Sequence, residues 1–299
     1  MSAGLRCLPA TISGRHFHSL LATGHWPDTR VHSVFRRVVN IRSGNRLLSV
    51  TGPGIGNAAG FLVVDLPENL DFTGLGIRKG MPVRREEDGI RIGEVLVVDC
   101  RRSSLWCGRS PSDLLWRKED LPPANLAALR GAISRWGLES SLAGTARRDQ
   151  SLHGRLERLA SGLRCTRDGL LEAAVAALIG YGAGSTPAGD DVMIGLLATA
   201  NGGAQYRNCR RRLHRAVAAN LGHTTGLSGF LLRQAIAGDY HEYLQEVVYA
   251  VVRGIPSSVI VAARNLLRMG GTSGTDMATG VYSGFDWLCG RETGFEGLH

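Results

Sequence analysis

The chain has 299 residues, of which 43% are hydrophobic, 20% are charged and 40 are glycine. This length predicts one large or two modest domains, each with a true hydrophobic core. Glycine is about twice as frequent as its usual ~7%. It follows no Gly-X-Y period and proline is scarce, which excludes collagen and low-complexity disorder.

The net charge of +9 comes almost entirely from arginine, since Lys79 and Lys118 are the only lysines. The basic excess is spread along the chain, unlike the single basic face or tail of most nucleic-acid binders. One dense cluster occupies residues 207–215, and we interpret it as the solvated face of a helix. The sequence therefore predicts no nucleic-acid partner.

Six cysteines form no C-x-x-C pair, which argues against a zinc site or a disulfide framework and favours a reducing compartment. The first residues contain no signal-peptide core. The longest apolar runs, 173–179 and 247–252, are far shorter than the ~20 residues that span a bilayer. We expect a cytoplasmic protein with no membrane contact.

The first 120 residues contain short runs rich in Val, Ile and Leu between turn residues, after a predicted short helix over 12–22. Such runs predict strands joined by hairpins, hence a mostly antiparallel sheet or small barrel. Asp88-Gly89 is the clearest turn. The predicted strands are 31–41, 46–51, 60–66, 81–84, 89–92 and 94–99.

From Leu121 onward the apolar residues recur at helical spacing. Pro122-Pro123 marks the predicted domain boundary, because proline ends a strand and is tolerated at a helix start. The fold class is therefore α+β, with a β-rich domain over 1–121 and an α-helical bundle over 122–299. The predicted helices are 125–136, 151–163, 169–179, 190–200, 205–221, 228–237, 240–253, 256–268 and 274–288.

The most informative segment, 180–191, reads Gly-Tyr-Gly-Ala-Gly-Ser-Thr-Pro-Ala-Gly-Asp-Asp and lies between two apolar helices. Its glycines allow tight turns and a close approach to a ligand. Thr186-Pro187 is a natural helix start, where exposed N–H groups can hold an anion.

Asp190 and Asp191 follow directly, and two interpretations stay open. They can complement the positive end of the helix dipole, which would weaken anion binding there. Alternatively, one of them holds Mg²⁺ or a substrate amide. Neighbours on a helix point about 100° apart, so we do not expect both to face one site.

Two more loops, 223–228 and 271–276, combine hydroxyls and glycine before a helix. Each has a structural interpretation, since Thr225 can cap a helix and Ser273 with Asp276 resembles an acidic capping box. Taken together, three such helix starts predict a pocket of hydrogen-bond donors for phosphate or carboxylate if they converge.

His223 is either a base or a structural histidine. The candidate catalytic residues are Asp190, Asp191 and His223, the candidate metal ligands are Asp190 and Asp191, and the candidate binding residues are Gly182, Gly184, Thr186, Gly189, Thr224, Thr225, Ser228, Thr272, Ser273, Gly274 and Asp276.

These motifs, in this order, resemble the AllH-like family, which includes a subunit of oxamate carbamoyltransferase. The resemblance spans residues 10 to 290. Ser185 stands where we expect a larger apolar residue. The matching segments are Val34-Phe35 with Val38-Val39-Asn40-Ile41, the run 184–191, Thr224-Thr225 with Ser228, and the run 272–276.

The resemblance implies carbamoyl transfer in allantoin-derived purine nitrogen catabolism, in which oxalurate and phosphate exchange with oxamate and carbamoyl phosphate. All of these species are small anions. It also implies partner subunits in a carbamoyltransferase complex. Two other hypotheses remain: a stand-alone Mg²⁺-dependent enzyme acting on a small phosphorylated or carboxylated metabolite, and a non-catalytic binding or scaffold subunit.

Overall fold

The computed structural model describes residues 5–23, 26, 28–146, 148–165 and 169–290. Residues 1–4 and 291–299, at the outer ends of the two predicted domains, lie outside this part. The chain divides into two compact units, Met1–Gly108 and Arg109–His299. The described strands lie in the first unit and ten of the eleven α-helices in the second, which confirms the α+β class.

The first unit is built on one sheet whose strands follow the order β2-β3-β4-β5-β1-β8-β7-β6, with β9 also paired to β1. The helix α1 (Arg15–Thr23) buries Phe17 and Leu20 in the core of this unit. The strands are β1 (Arg6–Gly14), β2 (Thr29–Val34), β3 (Val38–Ser43), β4 (Arg46–Thr51), β5 (Phe61–Val64), β6 (Val83–Glu86), β7 (Gly89–Ile92), β8 (Leu96–Asp99) and β9 (Ser104–Trp106).

The sheet is mixed and nearly closed. Of its eight strand pairings, β1 with β8, β1 with β9 and β4 with β5 are parallel, and the other five are antiparallel. At the two ends of the order, Val31 N–H donates to the Met81 carbonyl at 2.9 Å and Gly80 N–H to the Val31 carbonyl at 2.8 Å. The bridge between Arg30 and Pro82 brings β2 to β6. The expectation of a mostly antiparallel sheet or small barrel is therefore confirmed, and the observed sheet is mixed and nearly closed.

Three local predictions in this unit are wrong. Residues 12–14 belong to β1, so the helix predicted over 12–22 begins only at Arg15. The strand predicted over 31–41 is two strands, joined by a turn in which Phe35 N–H donates to the Val38 carbonyl at 2.7 Å. β1 was not among the predicted strands, and it contains Pro9, a residue type that is rare in strands with partners on both sides. The strand accommodates this proline beside a register shift between Ala10 and Ile12.

The second unit is helical. Asp149 caps α4 by accepting from the Ser151 N–H at 2.9 Å. The predicted helix 205–221 is shorter, because Ala204–Tyr206 forms a 3-10 turn before it. The helices are α2 (Pro123–Trp136), α3 (Leu142–Ala146), α4 (Gln150–Arg164), α5 (Leu170–Ala176), α6 (Ala188–Gly202), α7 (Arg207–Ala219), α8 (Gly226–Ile236), α9 (Glu242–Arg253), α10 (Pro256–Leu267) and α11 (Ser273–Leu288).

The helices α6 and α11 form the centre of this unit. Apart from the first residue of each helix and Asn201, every residue of both is buried. Gly195 and Gly280 lie where the two helices cross: a Cβ on Gly195 would be 2.1 Å from the Met277 carbonyl oxygen, and one on Gly280 would be 2.1 Å from that of Val192. Only glycine allows this backbone approach. The crossing fixes the two helix N-termini relative to each other.

None of the described helices is both long and apolar enough to cross a membrane.

Candidate functional site

The loop before α6 reverses sharply and folds back on the start of the helix. Gly180 and Gly182 have φ values of +76° and +112°, a region that residues with a Cβ rarely adopt. A Cβ on Gly182 would lie 2.8 Å from the Ala188 nitrogen, and one on Gly180 would lie 2.3 Å from the His223 carbonyl oxygen. Glycine is therefore required at both positions by conformation and by space.

The exposed part of this loop carries unused donors. Residues 182–185 are exposed, and the backbone N–H groups of residues 182–186 donate to no acceptor within the described residues. The first turn of α6 itself offers fewer donors, because Gly189 N–H bonds the Tyr181 carbonyl at 2.9 Å and Asp190 N–H bonds that of Pro187 at 3.0 Å. The loop, more than the helix end, thus presents the N–H groups that can bind an anion.

Asp190 is fully buried and its carboxylate ties three segments together. One oxygen accepts the Gly180 N–H at 2.8 Å. The other accepts the Ser228 hydroxyl at 2.7 Å and also the Thr224 hydroxyl. Three donors satisfy this buried acid without a cation, so its evident role is to hold the loop and the start of α8 against α6.

Asp191 is fully buried as well, but neither of its oxygens accepts a hydrogen bond from a described residue. Burial, together with the neighbouring acids Asp276 and Asp190, raises the pKa of Asp191 to about 8, against the opposing effect of the Ser273 and Thr186 hydroxyls. A carboxyl in these surroundings is mostly protonated at neutral pH. The two adjacent aspartates therefore face different neighbours, as their helical spacing predicts.

The N-terminus of α11 meets the loop before α6. The hydroxyls of Thr186 and Ser273 are 3.0 Å apart, and both residues are partly exposed. Behind them, the buried Asp276 accepts the Leu142 N–H at 2.6 Å through one oxygen, and its other oxygen has no hydrogen-bond partner among the described residues. Burial raises the pKa of Asp276 to about 6, although the Leu142 N–H and the Thr272 hydroxyl act to lower it.

The interpretation of Ser273 and Asp276 as an acidic capping box is wrong. Thr272 occupies the N-cap position, and Ser273 is the first residue of α11. Ser273 directs its hydroxyl to Thr186 rather than to its own helix, and Asp276 bonds a different segment. Ser273 and Asp276 have the three-residue spacing of a capping box. That motif needs Ser273 at the N-cap, however, and α11 begins one residue earlier, with Thr272 at the N-cap.

The third loop joins the same cluster at the start of α8. Thr225 caps α8 by accepting the Ser228 N–H at 3.1 Å, and its hydroxyl donates to the Ser185 carbonyl at 2.5 Å. The capping interpretation of Thr225 is thus confirmed, and the same hydroxyl connects two loops. The His223 side chain is exposed and its Nδ1 lies 3.1 Å from Asn220 Oδ1, so only its backbone approaches Gly180.

The remaining predicted glycines differ in their surroundings. Gly184 has a φ of +99° with open space around it. Gly189 and Gly274 are buried in helices, where an added Cβ would lie 2.1 Å from the Leu178 carbonyl oxygen and 1.9 Å from that of Leu266. Close backbone packing accounts for glycine at these last two positions.

A metal ion bound by a protein is held by several oxygen, nitrogen or sulfur ligands. Within the described ranges, no group of three or more His, Cys, Asp or Glu side chains is arranged to hold one. Asp190 already accepts three hydrogen bonds. The acids with unpartnered oxygens at this position are Asp191 and Asp276.

One contributor to this cluster was not predicted from the sequence. The segment between α2 and α3 packs on the start of α11: Leu138 N–H donates to the Thr275 hydroxyl at 3.2 Å and Leu142 N–H donates to Asp276. Both donors are backbone groups in a segment without helical or strand periodicity. No residue type in this segment signals the contact.

The molecule thus combines a β-rich unit with a helical unit in which three hydroxyl- and glycine-containing helix starts converge on buried carboxyl groups. Two family descriptions match the chain: oxamate carbamoyltransferase subunit AllH over residues 178–285, and the AllH family N-terminal domain over residues 9–105. The chain belongs to the AllH family. No solved structure matches it.

Proposed function

We propose that this chain is a subunit of a carbamoyltransferase that exchanges oxalurate and phosphate with oxamate and carbamoyl phosphate. Its substrate site lies where the loop before α6 meets the starts of α8 and α11. The family description names an oxamate carbamoyltransferase subunit, and the substrates are taken from that description and from the resemblance of the motifs.

The contact between the Thr186 and Ser273 hydroxyls, at 3.0 Å, carries this proposal. It joins two loops 87 residues apart beside a run of backbone N–H groups without acceptors. Phosphate and carboxylate are bound in proteins by such combinations of backbone N–H groups and hydroxyls. Each substrate named above carries one of these two anionic groups.

The roles of the side chains follow from their exposure. Thr186, Ser273 and the loop 182–185 are accessible and would contact the substrate, whereas Asp191 is fully buried. Asp191 therefore lies behind the two hydroxyls and would not contact the substrate itself. A neutral carboxyl at this position removes the repulsion that an ionised acid would exert on a bound anion. During transfer, the oxamate nitrogen bonds to the carbamoyl carbon, the bond from that carbon to the phosphate oxygen breaks, and the proton lost from the nitrogen leaves with the released phosphate. The hydroxyls and N–H groups would stabilise the developing oxyanion.

The proposal includes partner subunits, because the family description is that of a subunit. It places the reaction in the cytoplasm. The shape of the loops would depend on four other predicted positions, Gly189, Thr224, Thr272 and Gly274. His223 would serve as a base only if its side chain turned away from Asn220.

The test is phosphorolysis of oxalurate by the chain reconstituted with its partner subunits. The rate is measured from the release of carbamoyl phosphate. We expect Thr186→Val and Ser273→Ala each to lower kcat/KM by about 10²-fold, since removal of one oxyanion donor commonly costs this much. Ser257→Ala is the matched control, because Ser257 is an exposed hydroxyl residue in α10. Full activity of both site variants would refute the assignment.

The same assay separates the two other hypotheses. A stand-alone Mg²⁺-dependent enzyme would turn over a small phosphorylated or carboxylated metabolite without partners and lose this activity with a chelator. A scaffold subunit would leave turnover unchanged in the Thr186 and Ser273 variants while its removal abolished the complex.

A further inference from the structure

The helical unit contains a concave surface far from the hydroxyl cluster. A cavity of about 980 Å³ is bounded by the end of α4, by α7 with the turn before it, and by the end of α11. Asp276 lies at the start of α11, and Leu288 at its end lines this cavity. Twelve residues of helix separate them by about 18 Å, at ~1.5 Å per residue. The cavity is therefore not part of the proposed carbamoyltransferase site.

The walls of this cavity are strongly basic. The described lining residues include four arginines and no acidic residue. The arginines are Arg164 from α4 and Arg211, Arg212 and Arg215 from α7. A concave surface with one sign of charge concentrates the electrostatic potential and attracts counter-ions.

Most of this charge is not neutralised by the acidic side chains that the structure describes. Arg164, Arg211 and Arg215 form no salt bridge with any described acidic side chain. Arg211 donates to Asn208 Oδ1 at 2.7 Å, a neutral acceptor. Glu172 is close enough for Arg212 and Arg215 to lower its pKa, but its carboxylate caps α5 through the Gly169 N–H at 2.9 Å. Like charges four residues apart on a helix, as at Arg211 and Arg215, are destabilising unless something compensates them.

The arrangement suits a ligand with more than one anionic group. Arg211 and Arg215 lie one helical turn apart, about 6 Å between Cβ atoms, and Arg164 faces them from another helix. A single guanidinium group can donate two parallel hydrogen bonds to two oxygens of one phosphate. His214 adds little charge, because burial and the nearby Arg210 lower its pKa. Tyr206 and Trp287 also line the cavity and add aromatic side chains to its wall.

We propose that this cavity is a binding site for a small molecule that carries linked phosphate groups, such as a nucleoside diphosphate. Tyr206 and Trp287 contact the organic part, and the arginines hold the diphosphate. This explains why the basic cluster of α7 lies in a concave wall together with an arginine of α4. The sequence alone had indicated a solvated helix face.

The experiment is isothermal titration calorimetry of the full chain with pyrophosphate, ADP and inorganic phosphate. We expect saturable binding of pyrophosphate and ADP, at least tenfold tighter than that of phosphate. Arg215→Gln and Arg211→Gln should each weaken pyrophosphate binding at least tenfold; both side chains are exposed, so the fold is retained. Arg207→Gln is the matched control, an exposed arginine on the same helix that does not line the cavity, and should change affinity less than twofold.

Several results would overturn the proposal. Absence of saturable pyrophosphate binding would do so, as would an equal loss in the Arg207 and Arg215 variants, which would indicate general charge attraction. Tighter binding of a DNA duplex than of pyrophosphate would assign the surface to nucleic acid instead. Arg211→Gln and Arg215→Gln should leave oxalurate phosphorolysis by the reconstituted complex unchanged, so failure of this proposal and failure of the carbamoyltransferase proposal are distinguishable.

Discussion

Replacement of Asp191 by asparagine should remove a specific part of the pH dependence of stability. Asparagine keeps the size of the side chain and cannot ionise. In the folded chain, burial raises the pKa of Asp191 from 3.8 to about 8. In the unfolded chain the group titrates near its ordinary value. Between these two pKa values the folded state holds a proton that the unfolded state has lost, so the free energy of unfolding falls as pH rises.

The magnitude follows from the linkage. Each pH unit in this interval lowers the free energy of unfolding by about 1.4 kcal/mol through this one group. From pH 6 to pH 8 the loss is about 2 kcal/mol, because half of the protons have left the folded state at the upper limit. Asp276, with a pKa of about 6, contributes mainly below this window. For a unit of this size, 2 kcal/mol corresponds to a fall in Tm of about 5 °C.

The assay is thermal and urea unfolding of the full chain at half-unit pH intervals between 6 and 8. Asp191→Asn should show a slope shallower by about 1 kcal/mol per pH unit than the wild-type chain. Asp120→Asn serves as the control, because Asp120 is exposed in the same unit. If the Asp191 variant kept the wild-type slope, the inference that this carboxyl is protonated in the folded chain would be wrong.

Substitutions at three further contacts test their roles. Gly195→Ala should destabilise the chain by about 3 kcal/mol or more in urea unfolding, because its Cβ would clash with a carbonyl oxygen, whereas Gly131→Ala in open space should stabilise it by about 0.5 kcal/mol. Thr225→Val should lower the free energy of unfolding by about 1 to 2 kcal/mol, because α8 loses its N-cap. An unchanged free energy of unfolding would contradict the capping role of Thr225. Asp190→Ala should lower the free energy of unfolding by about 3 kcal/mol or more, because three donors lose their acceptor. Proteolytic cleavage in the loop around Gly180 should then increase. If the loop resisted cleavage as in the wild-type chain, the role of Asp190 in holding it would be contradicted.

The sequence predicted those parts of the helical unit whose signals are local. Amphipathic spacing correctly predicted α4. The helix predicted after Thr186-Pro187 begins within two residues of the observed start of α6. The three glycine- and hydroxyl-containing loops were also recognisable, because each combines a helix start with residues that tolerate unusual backbone angles. Their convergence was not predictable, since it depends on how α6 and α11 cross.

The errors in the β-rich unit have identifiable causes. The turn between β2 and β3 contains Arg36 and Arg37 and no glycine, so no turn residue signals it. β1 contains a proline that normally argues against a strand with partners on both sides, and it is accommodated by a local irregularity. Parallel pairing of β4 with β5 is a long-range arrangement that strand propensity does not encode.

The backbone contact between α6 and α11 has a consequence for how the molecule tolerates change. Where helices meet through large side chains, a substitution can be absorbed by rotamer adjustment, and the helix ends shift with it. Here glycines bring main chain against main chain, and a peptide backbone has no rotamers to exchange. The spacing of Thr186 and Ser273 is therefore set by the crossing itself. Substitutions in the surrounding side-chain core should alter stability well before they alter the distance between these two hydroxyls.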